Sequence, residues 1–60
     1  MSLTLTPNIP DPDGFYDELL SAHTDLTKVQ SDALNARLIL ILANQIGDRE
    51  ILSAAISTAK

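Results

Sequence analysis

"ARLILILANQIG", residues 36–47, decides the fold. Leu38 to Leu42 form an unbroken run of five branched aliphatic residues. Read as a helix at roughly 100° per residue, with Leu34 as origin, the segment is apolar on nearly every side. Leu38, Ile41 and Gln45 gather beside Leu34; Leu42, Ile46 and Ile39 lie roughly 80–140° away, and Ala43, Ala36 and Leu40 roughly 180–240° away. Arg37 and Asn44, close together on the remaining arc, form a narrow polar stripe. A helix hydrophobic nearly all round is normally buried, which raises the question of what covers it in a chain of 60 residues.

Working outward, "TKVQ" at 27–30 is a capping box: Thr27 accepts from the backbone three residues on and Gln30 reaches back. Gly47 closes the segment, because glycine takes the left-handed conformation past a helix end at least cost. These signals predict a central helix over 28–46. Asp48 caps a third helix over 49–59, with Ile51, Leu52, Ala55, Ile56 and Ala59 along one face. Upstream, Asp11 and Pro12 carry helix-start chemistry, although Gly14 leaves Asp13 as an alternative cap. Asp13, Asp17 and Glu18 add negative charge toward the positive end of that helix. Phe15, Tyr16, Leu19, Leu20, Ala22, His23 and Leu26 then make a broad apolar face, so a first helix is expected near 12–24. Residues 1–10 hold two prolines and read as an extended arm carrying Leu3, Leu5 and Ile9. The arm is either frayed or laid across a neighbouring groove. The expected architecture is one all-α domain over residues 1–60: a three-helix unit with an N-terminal arm, pairing into a helical bundle.

Composition narrows the ways such a unit can be stabilised. A single core of this size supplies roughly 3–5 kcal/mol, and small folds usually need a staple. With no cysteine and one histidine, neither a disulfide nor a structural zinc site is available. Leaving two or three of the helix 28–46 aliphatics in water would forgo roughly 3–9 kcal/mol, as much as the whole core provides. Self-association is therefore expected, most simply as a symmetric homodimer. Its interface is expected at Leu34, Leu38, Ile39, Ile41, Leu42 and Gln45.

Eight acidic and four scattered basic residues give a net charge of −4. That balance argues against nucleic acid and against anionic lipid surfaces, both of which are bound by clustered Lys and Arg. The longest apolar-rich run without a charge, Leu38 to Gly47, is ten residues, about half of what crosses a bilayer. The first residues have neither the positive region nor the long apolar region of a signal peptide, so a cytoplasmic protein is expected.

Four polar residues stand out as candidates for specificity: His23, Asn35, Arg37 and Asn44. Arg37 can bury its stem and send its head to water or to an acidic partner. It can also fix the register of an interface, or grip a carboxylate ligand together with Asn44. Asn35 is either a seam amide that sets register or an ordinary surface amide. His23, read as mid-face between Leu19 and Leu26, is a core residue with one hydrogen bond, a proton switch or a metal ligand. It has no Asp, Glu or Cys on its own face at helical spacing. The acidic "PDPD" lacks the spacing of a calcium loop, and no serine or threonine sits in the glycine elbow of a nucleophile. No cofactor and no enzyme activity are expected. The leading expectation is an accessory or regulatory subunit that also binds a larger protein through apolar residues of the first or third helix. A small anion binder is the alternative.

"PDPDGFYDELLSAH" (10–23) followed by "LNARLILILANQIGD" (34–48) resembles a small family of uncharacterised bacterial proteins of about this length, known mainly from proteobacteria. The resemblance covers roughly residues 10–52 and implies a free-standing small protein. It carries no activity and no functional residues across.

Overall fold

Each of the three helices starts on a residue that ties down free backbone N–H groups. The structure, a computed structural model, describes residues 3–60; the start of the expected arm, residues 1–2, lies outside them. Helix α1 runs Pro12–Ala22, α2 Lys28–Ile46 and α3 Arg49–Ala59. Among the described residues there is no strand.

Asp11 caps α1, its Oδ1 accepting from the Gly14 N–H at 3.2 Å. Gly14 is part of this cap. A Cβ built there would stand 2.8 Å from the Asp11 Cγ, so a larger residue would push the capping carboxylate away. The alternative cap, Asp13, lies inside the first turn instead, and is the acidic residue there. Asp17 and Glu18 fall in the second turn, beyond the short reach of the helix dipole.

The ends of α2 and α3 follow the same local chemistry. The Gln30 N–H donates to Thr27 Oγ1 at 3.2 Å and the Thr27 N–H to Gln30 Oε1 at 3.0 Å. Gly47, at φ 71°, donates its N–H to the Ala43 carbonyl at 2.9 Å. Asp48 Oδ1 then accepts from the N–H groups of Glu50 and Ile51 at 3.0 and 3.1 Å. A two-residue joint thus stops one helix and starts the next.

α1 ends two residues earlier than its apolar pattern predicts. His23 is the C-cap, its N–H bonded to the Leu20 carbonyl at 3.0 Å, and Asp25 takes a left-handed φ of 63°. Thr24 and Asp25 favour turns over helix interiors, and Asp tolerates the left-handed region better than most residues. His23 is therefore half-buried at the helix end, not in the middle of a helical face, and Leu26 belongs to the turn.

Packing between helices is sparse. α2 and α3 approach one another closely, whereas no Cα atom of α1 lies within 8 Å of one in α2. Helices packed side by side have axes 8–10 Å apart, so α1 and α2 are splayed. The chain measures 38 × 25 × 21 Å with a radius of gyration of 13.3 Å, against about 10.4 Å for a compact domain of this length. Among the described residues none is buried. Leu19, Leu34, Leu38, Ile51 and Leu52 are half-buried, and Leu3 is the half-buried residue of the arm.

Candidate functional site

The splay of α1 from α2 opens an apolar groove. Phe15, Leu19 and Ala22 form one wall, and Leu34, Leu38 and Ile41 the other, around a volume of about 340 Å³. The groove continues toward the connecting turn as a second stretch of about 450 Å³ that adds Leu26, Val29 and Ala33. The pattern follows from the spacing i, i+4, i+7, which puts Phe15, Leu19 and Ala22 on one side of α1 and Leu34, Leu38 and Ile41 on one side of α2.

Two charged side chains line the first stretch, Glu18 from α1 and Arg37 from α2. Arg37 lines the second stretch as well. Among the described residues the ion pair is Lys28 with Asp32, 2.8 Å apart and fully on the surface; Arg49 hydrogen-bonds to Ser53. Neither Glu18 nor Arg37 has a charged partner within its own chain among the described residues. In the sequence Glu18 reads as a charge near the start of the first helix and not as a site residue. Its signal was positional: three residues after Phe15 and four before Ala22, it borders the apolar face of α1.

The expected interface residues divide between two surfaces. Leu34, Leu38 and Ile41 line the groove; Ile41 is nevertheless 65% exposed. Ile39 and Leu42 do not line it. With Ile46 they sit between about a quarter and nearly half a turn round α2, and Ile39 too is 65% exposed. Gln45 is exposed near the end of the helix. Among the polar candidates, Arg37 alone lines the groove, while Asn35 and Asn44 are exposed elsewhere on α2. Asn44, two turns on from Arg37 along the same side of α2, is not among the residues that line the groove. Among the described residues no three His, Asp or Glu side chains gather at one point. No helix among them is long and apolar enough to cross a membrane.

No curated protein and no solved structure matches this chain. A family model does, over residues 3–60, reaching through the arm and α3 beyond the segments that carry the resemblance in sequence. The chain belongs to that family, described as protein of unknown function (DUF2783).

Proposed function

We propose that this chain is a non-enzymatic cytoplasmic protein that works as a homodimer and serves as an accessory or regulatory subunit of a larger protein. One observation carries the dimer. The chain exposes 5356 Å², whereas a compact monomer of this size exposes about 3,800 Å². The excess, about 1,500 Å² per chain, would close an interface of about 3,000 Å² in total, within the range of obligate homodimers. A lone 60-residue chain with no buried residue among those described has little to offset its conformational entropy; two copies that cover each other have a core.

The accessory role rests on what such pairing leaves over. If the groove closes, Ile39, Leu42 and Ile46 still form an outward apolar stripe on α2, with Ile39 65% and Ile46 52% exposed. Contiguous exposed apolar surface of that kind marks interaction sites. Light scattering on the purified chain is expected to give twice the chain mass, and a clean monomer at high micromolar concentration would refute the proposal.

A second reading is favoured by Arg37, a cation beside apolar walls without a carboxylate partner among the described residues of its own chain. Here a small carboxylate ligand occupies the groove. It would raise the unfolding midpoint in a metabolite panel, by about 2.7 kcal/mol of stability at a hundred times its dissociation constant. Arg37→Leu would abolish the shift.

A further inference from the structure

We propose that the groove between α1 and α2 receives the same two helices of a second copy, and that Glu18 of each copy pairs with Arg37 of the other. This rests on the homodimer reading and names the surface, the register and the ionic contact of that dimer.

The missing cover has to be large and apolar. The surface excess of about 1,500 Å² is too great for a single short strap. A second copy brings a groove of the same length, with the same unsatisfied walls, so one association closes both. Splayed helices with open space between them are what a four-helix arrangement looks like when half of it is taken away. Phe15, Leu19 and Ala22 would then pack on Leu34, Leu38 and Ile41 across the two-fold axis as well as within each chain.

Charge selects the register. Glu18 and Arg37 border the same stretch of groove from opposite walls. In an isologous contact, residue i meets j while j meets i. A two-fold axis through that stretch sets each carboxylate opposite a guanidinium, making the contact twice. A register that brought Arg37 against Arg37 would be opposed by like charges at the edge of an apolar interface. The pair also explains a cation and an anion that border apolar walls without an ion pair among the described residues of their own chain.

The test is to mix two charge variants. Glu18→Arg presents cations at both positions, and Arg37→Glu presents carboxylates at both. Each variant alone is expected to weaken the dimer at least about tenfold, read by sedimentation equilibrium. Mixing them is expected to restore a dimer containing one chain of each, because every contact between them is again between opposite charges. Should the double variant E18R/R37E recover while the mixture does not, the pair lies inside one chain and the proposal falls. Single variants that stay as dimeric as the wild type would overturn the groove register while leaving the homodimer standing. A monomeric wild type would remove both.

A second measurement needs no substitution. In a dimer of one isotopically labelled and one unlabelled wild-type chain, NMR contacts are expected between the Phe15 ring of one copy and the Leu38 and Ile41 methyls of the other. Contacts through Ile39, Leu42 and Ile46 instead would assign the interface to the outward stripe and refute the proposal.

Discussion

Truncating Ile41 to alanine separates a chain that stands alone from one that stands in a pair. In the single chain Ile41 is 65% exposed, so about a third of its side chain is out of water. Full burial of such a side chain contributes about 1.5–3 kcal/mol; the loss in a monomer is therefore about 0.5–1 kcal/mol. In a closed groove the same residue is enclosed by four helices, where truncation to alanine costs about 2–5 kcal/mol. Each dimer holds two copies, so about 4–10 kcal/mol is lost per dimer, weakening association by about a thousandfold or more. Urea or thermal melts followed by circular dichroism measure this, repeated over about a hundredfold range of concentration. The wild-type midpoint is expected to rise with concentration, since a hundredfold change is worth about 2.7 kcal/mol per dimer. A midpoint that ignores concentration, with Ile41→Ala costing no more than about 1 kcal/mol, would refute the reasoning.

Four further predictions rest on local geometry and on the outward stripe. Asp11→Ala is expected to lower stability by about 1 kcal/mol through loss of the cap. Gly14→Ala should be close to neutral in the wild type, because about 1 kcal/mol of helix propensity is offset by displacement of the Asp11 carboxylate; in the Asp11→Ala background it should stabilise, and a double-mutant cycle of thermal melts reads the coupling. Gly47→Ala finds ordinary space around its new Cβ, with the Asn44 carbonyl 3.7 Å away, so its cost is that of forcing a left-handed backbone on alanine, about 1–2 kcal/mol, checked by the same melts. Ile39→Ser is expected to leave the dimer mass unchanged in light scattering while weakening capture of any larger partner; loss of the dimer would show that the stripe is itself the pairing surface.

The positions of α2 and α3 were legible to the residue, because every signal that sets them lies within four positions of the helix end. The Thr27–Gln30 box, Gly47 and Asp48 make bonds with near neighbours, and such bonds follow from spacing alone. The end of α1 was not legible in the same way. The apolar pattern runs on through His23 to Leu26, and a left-handed Asp25 has no period to announce it. The candidate site was half legible. Leu34, Leu38, Ile41 and Arg37 were marked by the wheel of α2, but the opposite wall depends on the angle between α1 and α2. The turn over residues 23–27 sets that angle, and a helical wheel describes one helix at a time. The wheel alone does not divide Ile39 and Leu42 from the groove residues for the same reason: a helix apolar all round gives no sign of which side faces its neighbour.

α1 spans eleven residues and leans on no other helix through close backbone contact. A helix that short is marginal in water without tertiary support, even with a sound N-cap. Its order should therefore rise and fall with whatever fills the space beside it, which makes its backbone amides a built-in occupancy gauge. Rapid deuterium uptake across 12–22 in dilute solution, slowing on concentration while α2 and α3 change less, would let the protein report on its own assembly without a label.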